Sequence, residues 1–449
     1  MSTIEKHDMT QGKILLPLVS FTIPLVLGNL FQLTYNAADS VIVGKYVGEQ
    51  ALAAVGTSTP IMNIAILLIS GMCMGASVLM SSQYGAKDYD TLSRQISTTM
   101  LAGCGFSVVF SLLMLLLANP VLRLIRVPET AIPEAAAYLR IIFMGLIFTF
   151  MYNFLANTMR ALGDSKTPLY FLVTSAFLNI FGDLFFVVVL RWGVAGSAIA
   201  TVCSEGLCCL LCGIYIKKKI SLLCLGKKWW VFDKSLLGKT VSYGSTSAMQ
   251  QVCLQLGKLI IQSVVNTQGV AVMAAFTAVN RVDDFAYTPQ QNIGHAMTTF
   301  LAQNKGAGHK ERMKKGFQTG LLIELVYSIG LFCVIWGLAP QIMTLFAEDG
   351  DAQVVSLGIS YLHLISWMYI LPGLTNGVQG FFRGIGDLKV TLYSTFMNMF
   401  GRVVAVFVMI RLLQMEFASL AWANMVGWIV MLLFEVPLLV KSMRNGECG

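Results

Sequence analysis

The sequence predicts an all-α membrane protein: twelve transmembrane helices in two pseudo-symmetric six-helix bundles. Three observations carry that prediction. The chain is 56% hydrophobic and 12% charged, with a mean hydropathy of +0.71, whereas a soluble domain carries about a quarter charged residues. Twelve apolar runs are present, each long enough to cross a bilayer at about 20 residues per crossing. Finally, a motif in the fourth-to-fifth loop recurs 223 residues later, close to half of 449.

The runs fall at about 14–43, 51–82, 92–118, 134–159, 167–190 and 193–216, then 238–265, 270–303, 316–338, 354–382, 389–411 and 417–440. Several exceed what a bilayer needs, so tilt or kinks are expected. Residues 1–216 form the predicted N-terminal lobe. Residues 217–237 form a basic cytoplasmic linker whose Trp229 and Trp230 suit the headgroup level, and 238–449 form the C-terminal lobe.

The repeat reads RALGDSKTPLY at Arg160–Tyr170 followed by NIFGD at Asn179–Asp183, then RGIGDLKVTLY at Arg383–Tyr393 followed by NMFGR at Asn398–Arg402. A second pair, GASVLMSSQYGA at Gly75–Ala86 and AMTTFLAQNKGA at Ala296–Ala307, recurs at an offset of 221. With six spans per half, both copies begin on the same side of the membrane. The repeats are therefore parallel, related by an axis along the membrane normal, an arrangement typical of transporters that rock about a central cavity.

Lys and Arg set the orientation. With the N-terminus inside, 22 of the 31 fall in inside segments and five in outside loops. Both termini are thus expected in the cytoplasm and the protein in the cytoplasmic (inner or plasma) membrane. The net charge of +8 does not indicate nucleic acid, because the charges sit in short loops between apolar runs. Of the ten Cys, four crowd one run (Cys203, Cys208, Cys209, Cys212) with no His at metal spacing, and read as small buried apolar side chains. Residues 1–13 are polar and no small-residue cleavage site follows, so no cleavable signal peptide is expected.

A carboxylate in hydrocarbon costs several kcal/mol unless paired or hydrated, which makes intramembrane acids functional candidates. Asp39 lies in the first span, 15 residues after Pro24, which can bend the helix and free a carbonyl. Asn179 and Asp183, four apart, share one face of the fifth span. Thr201 follows the small-residue stretch GVAGSAIA in the sixth, which permits close helix packing. Asp39, Asn179, Asp183 and Thr201 are all oxygen donors. Together they can hold Na⁺ or carry a proton on one carboxyl; helix-to-helix hydrogen bonding is the structural alternative.

Glu205, about one turn beyond Thr201, either joins the cluster or lines the cavity. Tyr35, Gln251, Gln255, Lys258 and Arg402 are further cavity or coupling candidates, Arg402 standing where the first copy has its acid. Phe31, Phe154 and Met249 are candidate apolar wall residues. Asp283 and Asp284 cannot both face one direction, so at least one is expected paired or wet. Glu324, Glu435, His295 and His363 are expected to be structural.

The duplicated bundle, R-x-x-G-D-x-K after the fourth span, N-x-x-x-D in the fifth, Asp39 in the first and the Gln-to-Gly-Ala ends of spans two and eight resemble the multidrug and toxic compound extrusion (MATE) transporters over roughly residues 12–440. That resemblance implies two six-helix lobes. It also implies export of cationic or amphipathic organic compounds (drugs, toxins, metabolites) in exchange for H⁺ or Na⁺. In the prokaryotic branch the cation site lies in the N-terminal lobe, at positions matching Asp39, Asn179, Asp183 and Thr201, and bending near the first-helix proline fits Pro24. The seventh span here offers Gln251, Gln255 and Lys258 rather than an acid, and the eleventh Arg402, which argues against a C-lobe cation site of that kind. No cofactor is implied, and a monomer suffices. Two rivals remain open on the sequence: a lipid-linked oligosaccharide flippase of the same superfamily, to which Lys258, Arg281 and Arg402 are suited, and a membrane-embedded transferase. The latter lacks a second acidic pair to complement Asp283–Asp284.

Overall fold

Among the described residues the twelve apolar runs fold as fourteen α-helices, because two of the runs break. The computed structural model describes residues 8–125, 127–219, 230–346, 352–413, 417 and 419–444. Of the linker expected over 217–237, residues 220–229 lie outside this set. No strand occurs among the described residues.

The first half contains α1 (Leu15–Tyr46), α2 (Glu49–Gly85), α3 (Tyr89–Leu124), α4 (Ile132–Met144), α5 (Leu146–Ala161), α6 (Lys166–Asp183) and α7 (Gly193–Lys219). The second contains α8 (Lys234–Val265), α9 (Val270–Gly306), α10 (Lys310–Phe346), α11 (Ala352–Ser366), α12 (Ile370–Ile385), α13 (Leu388–Phe407) and α14 (Ser419–Arg444). The fourth span is α4 and α5 meeting at 47°. At the join, a Cβ on Gly145 would stand 2.4 Å from Val202 Cγ2, so α7 crosses where only glycine fits. The tenth span is α11 and α12, joined by a 3₁₀ turn at Trp367–Tyr369. Neither break was anticipated from the apolar pattern, which runs through both.

Nine described helices are long and apolar enough to cross a membrane, and ten with the α4/α5 pair. The other two of the twelve spans are α8 and α9, whose polar content (Gln250, Gln251, Gln255 and Lys258 in α8; Arg281, Asp283, Gln290 and Asn292 in α9) lowers their hydropathy. Helix α1 is continuous through Pro24. Helix α6 continues past Asp183 as a π-helical turn, Leu184–Val189, and α13 ends in another, Val408–Leu412. Such turns widen a helix locally and often accompany functional sites.

The chain divides into two compact units. The first holds Ile23–Ala248, so it includes the start of α8; the second holds Met9–Thr22 with the residues from Met249 onward. In the first unit α2 packs on α5, α3 and α4, and α7 packs on α6, α4 and α5. Its core includes Ile69, Met80, Leu139, Phe143 and Phe154. Phe154 is 1% exposed and stacks on Phe150 at 5.7 Å, so it is core rather than the cavity wall expected of it. In the second unit α9 packs on α12, α10 and α11, and α13 on α14. Tyr361, Leu362, Met368 and Tyr369 sit in its core.

Each unit clasps the segment leading into the other half's first helix. In the second unit Gln303 Oε1 accepts from the Met9 amide at 3.2 Å and Asn304 Nδ2 donates to the Met9 carbonyl at 3.2 Å. Arg312 donates to the Met9, Gln11 and Gly12 carbonyls at 3.0, 2.8 and 2.6 Å. In the first unit Ser97 Oγ both donates to the Val231 carbonyl at 2.9 Å and accepts from its amide at 3.0 Å. Thr98 Oγ1 accepts from the Asp233 amide at 3.0 Å, and Arg94 pairs with the Asp233 carboxylate. Met9 and Val231 are 222 residues apart, in register with the repeat.

Candidate functional site

Small residues bring α6 and α7 together beside Asp183. A Cβ on Gly182 would lie 2.9 Å from Ala200 Cβ, and one on Gly196 3.0 Å from the Phe186 carbonyl oxygen. Gly182 precedes Asp183 and Ala200 precedes Thr201. The close approach therefore places the polar residue that follows each small one at the α6–α7 seam. Asn179 Nδ2 donates to Thr201 Oγ1 at 3.2 Å across this seam.

Asp39 reaches the same seam from α1. Its Oδ1 accepts from Ser197 Oγ, on α7, at 2.7 Å. Its carboxyl is within electrostatic reach of that of Asp183. Asp183 is wholly buried at 0% exposure, and neither of its oxygens meets an acceptable donor; the same holds for Asn179 Oδ1. Three buried oxygens thus converge with unmet hydrogen-bonding capacity, beside a second carboxylate and a hydroxyl. That donor set matches what a hard cation or a proton needs. No cluster of three or more His, Cys, Asp and Glu suited to a transition metal occurs among the described residues.

The four residues singled out by spacing are therefore neighbours. Glu205 lies about a turn further along α7, where Thr149 Oγ1 donates to its Oε2 at 2.5 Å. Tyr35 is within electrostatic reach of Glu205 and Asp39. Three members of this neighbourhood escaped the sequence reading. Ser197 looked like one more small residue, Thr149 one more hydroxyl in a span, and Tyr138 one more aromatic. Tyr138, 3% exposed on α4, lies within reach of Asp39, Asp183 and Glu205 together. Thr149 and Tyr138 stand on either side of the α4/α5 break, which is invisible in the apolar pattern.

The remaining candidates lie in the second unit, except Pro24 and Phe31, which lie in the first. Lys258 on α8 pairs with Asp284 on α9 at 3.3 Å, both half-exposed. Asp283 turns inward, as two adjacent acids require: Tyr369 OH donates to its Oδ1 at 2.5 Å and Tyr361 OH to its Oδ2 at 3.1 Å. Arg402 is half-buried with its charge near Asp283. Gln251 and Gln255 are half-buried on α8, Phe31 and Met249 are exposed, and Pro24 is buried. Glu435 is fully buried with its charge near Arg383.

Comparison with known proteins follows the same outline. The MatE family model matches residues 24–185 and 247–409, once in each half. The probable multidrug resistance protein YpnP of Bacillus subtilis (strain 168) is 32% identical over 392 residues, covering 87% of this chain and 86% of its own length. The probable multidrug resistance protein YoeA of the same organism is 29% identical over 389 residues, 85% of this chain and 82% of its own. A solved structure of a MOP superfamily transporter from Pyrococcus furiosus superposes with a TM-score of 0.91 over 99% of both chains at 21% identity, a likeness of fold.

Proposed function

This chain belongs to the MatE family, the multidrug and toxic compound extrusion transporters, and from that premise we propose that it is a secondary antiporter exporting cationic or amphipathic organic compounds in exchange for H⁺ or Na⁺. It is a multi-pass membrane transporter and not an enzyme. The finer reading adds that it works as a monomer in the plasma membrane with both termini cytoplasmic, by rocking-type alternating access of halves 1–216 and 238–449.

The observation that carries the coupling site is the set of buried oxygens without donors on Asp183 and Asn179, next to Asp39 and Thr201. From the outside, H⁺ or Na⁺ would enter this set and neutralise one carboxylate of the Asp39–Asp183 pair. Losing that charge weakens the attraction for a cationic substrate and favours its release. Once the ion leaves inward, the recharged pair attracts the next substrate. Ser197 holds Asp39 in place, and Glu205 with Tyr35 extends the polar face along α7. Pro24 supplies the point at which α1 can bend. Movement of one charge through 100 mV provides about 2.3 kcal/mol per cycle. Gln251, Gln255, Lys258 and Arg402 are assigned no ion in this scheme; the Lys258–Asp284 pair leaves that lysine without a free charge to offer.

The test is efflux of a fluorescent organic cation from proteoliposomes under an inward Na⁺ gradient and then an inward H⁺ gradient. Efflux under either gradient that disappears in folded Asp183→Asn establishes the antiporter and names its ion. Unchanged, ion-driven efflux in both Asp39→Asn and Asp183→Asn would refute the site.

A further inference from the structure

Glu324 lies on α10 in the second unit, where its charge was expected to be structural. It is 1% exposed, and neither carboxyl oxygen has a hydrogen-bond partner. No cationic side chain acts on it among the described residues. An ionised carboxylate so placed would lose its hydration with nothing in return, at a cost of several kcal/mol.

The surroundings are built to receive a proton rather than a counter-charge. Gln290 on α9, 0% exposed, spends its amide nitrogen on Ser328 Oγ at 3.1 Å and on the Tyr369 carbonyl at 2.8 Å. This fixes the amide's orientation and leaves Gln290 Oε1, also buried, without a donor. Ser328 Oγ in turn donates to the Glu324 carbonyl at 2.7 Å. All three side chains face one spot above Gly373 on α12: a Cβ there would meet Ser328 Oγ at 2.9 Å, Gln290 Nε2 at 3.3 Å and Glu324 Oε2 at 3.4 Å. The space exists because position 373 has no side chain. A buried acid without a donor thus stands beside a buried amide whose oxygen also lacks one, and a proton on the carboxyl removes the uncompensated charge.

We propose that Glu324 is a second proton-binding site of this transporter, in the C-terminal unit, formed with Gln290, Ser328 and the Tyr369 carbonyl and distinct from the Asp39–Asp183 cluster. Tyr369 ties it to the break in the tenth span. Its carbonyl closes the Glu324 pocket while its hydroxyl holds Asp283, the other buried acid nearby. Asp283 has two hydroxyl donors and is thereby equipped to remain an anion; Glu324 has none and is equipped to be neutral. When Glu324 releases its proton to water, the carboxylate must gain donors. The nearest donors, Ser328 Oγ and Gln290 Nε2, are both held by the Tyr369 carbonyl at the α11–α12 turn, so proton occupancy and the conformation of that turn are linked. The other titratable groups nearby are Tyr327 on α10, Tyr287 on α9 and Tyr361 on α11. Tyr327 OH donates to the Ala286 carbonyl at 3.1 Å, and Tyr361 is engaged with Asp283 and Asn424.

The experiment is infrared difference spectroscopy of the purified full chain between alkaline and acid pH. A protonated-carboxyl C=O band should appear on acidification, be absent in Glu324→Gln, and persist in Asp183→Asn, which separates this site from the one in the first unit. Ser328→Ala, which keeps the acid but disturbs Gln290, should move the band's titration midpoint by about one pH unit, a roughly tenfold change in proton affinity for one hydrogen bond. Identical difference spectra in wild type and Glu324→Gln would overturn the proposal. So would a Glu324 band that stays constant across the pH range in which the protein is folded, since the proton would then be a fixed part of the structure. Should Glu324→Gln fail to fold, an unmoved midpoint in Ser328→Ala has the same force.

Discussion

Gly182→Ala tests whether the α6–α7 seam positions the ion site. The added methyl carbon would lie 2.9 Å from Ala200 Cβ and 3.4 Å from Ala200 Cα. Carbon atoms pack at about 3.5–4.0 Å, so the helices must part by roughly 0.6–1 Å. The Asn179–Thr201 hydrogen bond, at 3.2 Å, has only roughly 0.3 Å to spare before it lengthens past about 3.5 Å and is lost. Overpacking of this kind costs about 1–3 kcal/mol. The variant should therefore unfold at a lower temperature and lose ion-driven efflux, although no ion-binding residue has changed. Ala200→Gly removes the opposing methyl, and the double variant should recover most of the efflux. Its melting temperature should recover as well, because the helical glycine removed at 182 is regained at 200 and the two costs of about 1 kcal/mol cancel. Wild-type efflux by Gly182→Ala, or no recovery in the double variant, would refute the reasoning.

Other perturbations give separable readouts. Arg312→Ala removes the donors to the Met9, Gln11 and Gly12 carbonyls, and hydrogen exchange over residues 9–22 should speed up while the amides of α13 and α14 stay as protected as before. Asp88 caps α3, accepting from the Thr91 amide at 3.1 Å. Hydrogen bonds from the Thr91 side chain and backbone hold its carboxyl below the usual carboxylate range. Its stabilisation is thus complete at neutral pH and is lost as pH falls through that lowered value, so any melting-temperature gap between wild type and Asp88→Asn should close on acidification. The Lys258–Asp284 pair is 54% exposed on each side, and Lys258→Met should change stability by less than about 1 kcal/mol; a larger loss would mean that the pair is shielded from solvent.

The spans and the duplication were readable because both are one-dimensional: apolar length and recurrence of RALGD and RGIGD survive without any knowledge of packing. Asn179 and Asp183 were readable for a similar reason, since a spacing of four sets two side chains on one helical face. Pairing them with Thr201 and Asp39 needed only the small-residue run before Thr201 and an acid in another span. Ser197, Thr149 and Tyr138 were not readable. Their residue types are common in spans; Ser197 is reached by an acid on another helix, and Thr149 and Tyr138 flank the 47° bend, which leaves the hydropathy profile unchanged. Glu324, expected to be structural, shows in the sequence only as an acid in a span, and its burial at 1% exposure comes from packing that no spacing reveals.

The clasp on the N-terminal segment has a consequence for how the protein is made. Met9–Thr22 leaves the ribosome before the first unit's Ile23–Ala248 yet belongs to the second unit. Arg312 follows Gly12 by 300 residues, so at about 5–20 residues per second the segment waits roughly 15–60 s for its partner. The first unit, by contrast, is finished once Ala248 has been added. This stretch must therefore be held, by the insertion machinery or by lipid, while an entire bundle is assembled ahead of its own docking. A ribosome stalled between Ala248 and Arg312 would present a complete first unit with an unclaimed N-terminal segment, a distinctive substrate for membrane-protein quality control.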